Sequence, residues 1–128
     1  MHHQDYELLL SFLEKIKEEK TLIIVEGKKD KRALELRGID INQIVLLGKP
    51  LFLVVEEIVQ KIDEEHLPKR VVLLTDLDVE GRKLYSTLCQ DLNTHGIQIN
   101  NELRNFLSKN TKLKQIEGLT SYLSTLQH

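Results

Sequence analysis

Thr21-Leu22-Ile23-Ile24-Val25-Glu26-Gly27 is the stretch that decides the fold. Leu22 through Val25 are apolar without interruption and largely β-branched, the pattern of a short strand buried on both faces. Glu26 stands at its end and Gly27 breaks it. The same design returns at Ile44-Val45-Leu46-Leu47, stopped by Gly48-Lys49-Pro50, and from Arg70 to Thr75, followed by Asp76-Leu77-Asp78. Helical spacing separates these runs. A helix is expected over about residues 29–37, closed by Gly38 in the C′ position. Leu51, Val54, Val55, Ile58, Val59 and Ile62 recur on one helical face. Leu84, Leu88 and Leu92 mark a third helix, over about 81–94, ended by His95-Gly96.

Alternating helices and wholly apolar strands predict an α/β fold, a parallel sheet flanked by helices on both faces. Ligands of such sheets bind at the carboxyl ends of the strands, near a switch in strand order. The residues after Val25, Leu47 and Thr75 are therefore expected to share one rim. Outside this core, an amphipathic helix is expected over 5–19, with Asp5 placed to cap it, and shorter helical pieces around 101–107 and 119–126. The organisation expected is one domain: an N-terminal helix (1–20) packed on a core (21–97), and a C-terminal helical extension (98–128).

The composition excludes several classes. One cysteine in 128 residues rules out a disulfide framework or a thiolate zinc site and fits a reducing cytosol. No apolar run approaches the roughly 20 residues that span a bilayer, and the first residues do not read as a signal peptide, so a cytoplasmic protein without membrane contact is expected. A net charge of −2 announces no polyanion binder, so the placement of the 18 Lys and Arg matters more than their number. Aromatics at 5% and no Trp argue against a base-stacking platform.

The expected rim carries Glu26, Asp76 and Asp78. Asp76 and Asp78 are two apart, so their side chains can flank one cation in a turning segment. Hard oxygen ligands of this kind suit Mg²⁺, with Mn²⁺ as a substitute. Crowded carboxylates repel one another, and a divalent cation is the ordinary relief. A lone Asp-x-Asp in a loop is usually a solvated turn, and an Asp before a helix a cap. A carboxylate at the end of a buried strand is harder to dismiss, because burying it unpaired is costly.

At these residues the chain resembles the Toprim domain. Ile23-Ile24-Val25-Glu26-Gly27-Lys28-Lys29-Asp30 is similar to that family's strand–Glu–Gly motif, and Leu73-Leu74-Thr75-Asp76-Leu77-Asp78-Val79-Glu80-Gly81-Arg82 to its Asp-x-Asp-x-x-Gly motif. The likeness covers roughly residues 20–97 and is nearest to small stand-alone archaeal Toprim proteins and rRNA-maturing ribonucleases. Toprim domains also occur in primases and topoisomerases. Here a topoisomerase's cleavage domain is missing, and Tyr6, Tyr85 and Tyr122 fall in helical patterns as packing residues. The zinc- and helicase-binding parts of primases are missing too.

The resemblance implies metal binding by Asp76 and Asp78, with Glu26 either sharing a metal or moving a proton, and a role for all three in catalysis. It implies a Mg²⁺-dependent protein that cleaves or transfers a phosphodiester of RNA or DNA, a nuclease by preference. The alternative is a non-catalytic nucleic-acid-binding or adaptor module in an RNA-processing or DNA-repair assembly. Lys28, Lys29 and Arg32, with Lys49 and Arg82 on neighbouring rim segments, are the expected phosphate contacts, and Lys31, Lys83, Arg104, Lys109, Lys112 and Lys114 would extend that track. Gly27 would let the chain leave its strand tightly and turn backbone N–H groups to a phosphate, and Gly81 would open the following helix. Asp30 either caps its helix or orients groups around the metal. His2 and His3 read as a tail, His66, His95 and His128 have no partners at metal spacing, and Cys89 reads as a core thiol. A chain this small is expected to work with a partner, as a homodimer or in a larger complex.

Overall fold

Four parallel strands form one sheet: β1 (Leu22–Val25), β2 (Ile44–Leu46), β3 (Arg70–Leu74) and β4 (Gln98–Asn100), in the order β2-β1-β3-β4. The computed structural model describes residues 3–75 and 79–110. Five helices accompany the strands: α1 (His3–Glu19), α2 (Lys28–Leu36), α3 (Leu51–Glu65), α4 (Val79–Thr94) and α5 (Glu102–Asn110). The α/β architecture expected from the apolar runs is the one observed. The helix expected over 119–126 lies outside the described residues. Asp5 falls inside the first turn of α1 rather than at its cap, because the helix starts at His3.

The two faces of the sheet can be read from the period-2 alternation of strand side chains. Ile23 and Val25 of β1, with Val72 and Leu74 of β3, point to one face, where Leu9, Leu13, Leu34, Leu103 and Leu107 bring in α1, α2 and α5. Leu22, Ile24, Val71 and Leu73 point to the other, against Val54, Val55, Ile58, Leu88 and Leu92 of α3 and α4. All four side chains of β1 are buried, which is why the run carries no polar alternation. Phe12 of α1 meets Phe106 of α5 edge to face, with ring centroids 5.6 Å apart.

Local signals end the elements as expected in two places. Gly38 has φ +90° and Gly96 φ +75°, the left-handed region that favours glycine. At each, the glycine N–H and the next residue's N–H bond back to the last helical turn, Gly38 to Glu35 and Ile39 to Leu34, Gly96 to Asn93 and Ile97 to Leu92. A buried amide performs a less local task. Gln43 Nε2 donates to the carbonyls of Ile16 (3.1 Å) and Thr21 (3.0 Å), joining the end of α1, the approach to β1 and the turn before β2. β4 has no counterpart in the hydrophobic pattern, since its three residues include one apolar side chain.

Candidate functional site

The chain leaves β1 to form β2 on one side, then crosses back to form β3 on the other. The switch point of the sheet therefore lies between the carboxyl ends of β1 and β3. The register pairs Val25 with Leu74, so Glu26 and Thr75 are the first residues beyond the paired strands on adjacent chains. Leu47, past the end of β2, donates its N–H to the Val25 carbonyl at 3.0 Å, which brings the Gly48-Lys49-Pro50 turn to the same end of the sheet. Glu26 is half-buried there. Asp76 and Asp78 lie outside the described residues, but the residues on either side of them do not.

Thr75 is fully buried and carries three hydrogen bonds. Its Oγ1 donates to the carbonyl of Gly81 at 3.0 Å, so the two ends of the segment that holds both aspartates are tied together. Arg104 Nη1 donates to the Thr75 carbonyl at 2.6 Å and to its Oγ1 at 2.8 Å. Arg104 is 7% exposed, and its guanidinium lies 4.3 Å from the centroid of the Tyr85 ring. The Tyr85 hydroxyl donates in turn to Asn101 Oδ1. Burial pulls the Arg104 guanidinium below its ordinary value; Arg82 acts in the same sense, while Tyr85, Cys89 and Glu26 act against it. Glu26 and Arg82 are thus within electrostatic reach of Arg104. Burial pushes the Tyr85 phenol up, and its hydrogen bond with Cys89 adds to this.

The charge pattern suggests Arg104 as one more solvent-facing phosphate contact. The structure corrects this: the guanidinium is buried, and it grips the backbone from which the Asp76–Asp78 segment departs. The pairing of β4 with β3 ends at Val72, short of the carboxyl end of β3, and Arg104 occupies the place beside the Thr75 carbonyl that a longer β4 would have reached. A lone Arg in an amphipathic helix carries no sequence signal for such a role.

Asp30 is 2% exposed and accepts the Gly27 N–H on Oδ2 at 3.2 Å, capping α2. Gly27 has φ −129°, open to any residue, and a Cβ there would meet Asp30 Oδ2 at an ordinary 3.6 Å. Among the described residues, neither the backbone nor the neighbours of Gly27 require a glycine there. Gly81 is buried within the first turn of α4, two residues after its start rather than opening it.

Lys28, Lys31 and Arg32 line an open groove of about 600 Å³ between α2 and the end of β2, with Glu35 as an acidic neighbour and Leu36 and Leu46 as its apolar part. Their i, i+3, i+4 spacing puts them on one stripe of the helix, and Lys29 falls outside it. Lys49 is exposed and pairs with Glu57 of α3 at 2.7 Å. Arg82 and Lys83 are exposed near the start of α4, Lys83 within 3.8 Å of Glu80.

Among the described residues, no three His, Cys, Asp or Glu side chains gather as a metal site. Of the three carboxylates expected from the sequence to hold a metal, Glu26 is the one among the described residues. As donor chemistry, a half-buried carboxylate at the switch point with two more on the adjoining segment fits Mg²⁺ or Mn²⁺ and would not suit a soft metal.

A doubly covered parallel sheet with an acidic group at its switch point defines an α/β protein of the kind that binds ligands at strand ends. Comparison with known proteins narrows this. The model of the Toprim domain matches residues 21–119. A UPF0292 protein of Methanocaldococcus jannaschii is 36% identical over 123 residues, covering 93% of this chain and 92% of that one. Another, from Methanosarcina acetivorans, is 35% identical over 125 residues, covering 94% of this chain and 81% of that one. A solved structure of a protein from Aquifex aeolicus superposes with a TM-score of 0.71 at 31% identity, over 87% of this chain and 94% of that chain. The chain belongs to the Toprim family, alongside the small archaeal UPF0292 proteins. That membership ties it to metal-dependent, nucleic-acid-related function, and Toprim domains generally bind Mg²⁺. Among the described residues, no helix is long and apolar enough to cross a membrane.

Proposed function

We propose that the protein is a Mg²⁺-dependent nucleic-acid-processing enzyme, a nuclease that cleaves or transfers a phosphodiester of RNA or DNA. One observation carries this reading: Glu26 and Thr75, the residue before Asp76 in the chain, flank the switch point between β1 and β3. Glu26, Asp76 and Asp78 would hold the cation, whose chemistry is to neutralise phosphate charge and activate a bound water. A Glu26 carboxylate outside the coordination sphere would instead accept a proton from the nucleophile or return one to the leaving oxygen. Lys28 and Arg32 would hold the phosphate backbone in the groove beside α2, Lys49 would join them by exchanging Glu57 for a phosphate, and Arg82 would meet the strand near the start of α4. Asp30 supports the site by fixing the first turn of α2 after Glu26.

The test is labelled single-stranded and structured RNA and DNA incubated with Mg²⁺ or Mn²⁺, wild type beside Asp76→Asn. The reading expects product from wild type on at least one substrate and none from the variant, with both chains folded by circular dichroism. Equal cleavage by Asp76→Asn would sink it. The basic groove of Lys28, Lys31 and Arg32 favours a second reading, a binding or adaptor module, since a phosphate track needs no turnover. That reading expects salt-sensitive binding and no product with either metal. In both readings a partner chain or a second copy would complete the surface for a long substrate.

A further inference from the structure

We propose that Arg104 is a positioning residue for the metal-binding segment: it fixes the point where the chain leaves β3 and thereby sets the geometry of Asp76 and Asp78. This rests on the metal reading above and adds to it a group on α5, which lies outside both Toprim motifs. A guanidinium on a helix that ended its work in packing would be expensive to bury. Arg104 is buried, and its Nη1 meets both oxygens of Thr75, the residue immediately before Asp76. Thr75 Oγ1, accepting from Arg104, donates onward to the Gly81 carbonyl. One guanidinium nitrogen thus organises both ends of the segment that carries the two aspartates. The Tyr85 ring beneath the guanidinium, held by Asn101, limits its freedom to swing away. Groups placed in this way around a metal's ligands decide their orientation and are rigid because they are hydrogen-bonded themselves.

The sign of the effect separates positioning from a mere neighbouring charge. Arg104 lies within reach of the Glu26 charge, so a guanidinium that acted only through its field would compete with a cation. Its removal would then tighten metal binding. If it holds the segment in place, its removal weakens binding instead.

The experiment is Mn²⁺ titration of the full chain followed by electron paramagnetic resonance of the free ion, with no substrate present. Arg104→Met is expected to raise the Mn²⁺ dissociation constant about tenfold or more, the range seen when the groups supporting metal ligands are removed. Thr75→Val keeps the charge and the shape but removes the hydroxyl between Arg104 and Gly81, and is expected to weaken binding in the same direction. Thr75→Ser restores the hydroxyl and should recover most of the affinity. Unchanged or tighter Mn²⁺ binding in Arg104→Met overturns the proposal; if that variant does not fold, unchanged binding in Thr75→Val does so. Absence of Mn²⁺ binding by wild type would instead overturn the metal reading itself, and this inference with it.

Discussion

Cys89 sits half-buried on α4 beside Tyr85 and Arg104, and its surroundings determine its reactivity. Burial pushes the thiol up, against smaller opposing effects of the Tyr85 hydrogen bond and the Arg104 charge. The folded chain therefore holds this proton more tightly than the unfolded one. The associated stability is fully present below the unfolded thiol's pKa and is lost as pH rises through the folded value. Iodoacetamide should label Cys89 more slowly in the native chain than in urea, with the native inflection displaced to higher pH. A native inflection at or below that of the denatured chain would contradict this account. The residues around it differ in how far sequence exposes them. The place of Glu26 at the end of β1 was legible because the apolar run it closes is unbroken. Arg104 was not, because a charged residue in an amphipathic helix looks the same whether it faces water or grips a buried carbonyl.

At the scale of elements, α2 and the turn before β2 carry separable predictions. Lys28, Lys31 and Arg32 share a stripe facing one groove, so they should act on phosphates without regard to base sequence. Replacing Lys28 and Arg32 by Gln should weaken binding to unrelated oligonucleotides alike and lower the slope of log K against log salt by about 0.7–0.9 for each phosphate no longer neutralised. Fluorescence anisotropy across a salt series measures this, and an unchanged slope would remove these residues from the track. Gln43 predicts stability instead. Gln43→Leu strands the carbonyl of Thr21 and leaves that of Ile16 with the Thr21 N–H alone, at a cost of about 1–3 kcal/mol. Thermal unfolding should fall by several degrees, and an unchanged Tm would show that water or a shifted backbone replaces the amide. The elements themselves followed from pattern wherever burial was two-sided or a helix had one apolar face. β4 escaped because a three-residue edge strand gains its identity from pairing with β3, and pairing leaves no local periodicity.

For the whole molecule, the parallel sheet was legible in its apolar runs, but the strand order was not, since local sequence does not say on which side of β1 the chain lays β2 or β3. The order places the switch point between β1 and β3, and this gives the proposed carboxylate trio a consequence for folding as well as chemistry. In the proposed site Glu26 would meet, in the folded state, two carboxylates that lie 50 and 52 residues away along the unfolded chain, so the metal-free fold would be stabilised when one of them is neutralised. A cation that binds only the folded arrangement stabilises it by mass action, about 2.7 kcal/mol at a hundredfold excess over the dissociation constant, or roughly 10 °C in Tm. Wild type should therefore unfold at higher temperature as Mg²⁺ is added. Asp76→Asn should start above metal-free wild type and respond little to Mg²⁺, so that the two melting curves cross as the metal concentration rises. Calorimetry of both chains across a Mg²⁺ series, with NaCl at matched ionic strength as control, measures the crossing. Parallel responses in the two chains would mean that Asp76 is not a ligand. A lower metal-free Tm in the variant would mean that its carboxylate is a structural hydrogen-bond acceptor instead of one member of a repelling trio.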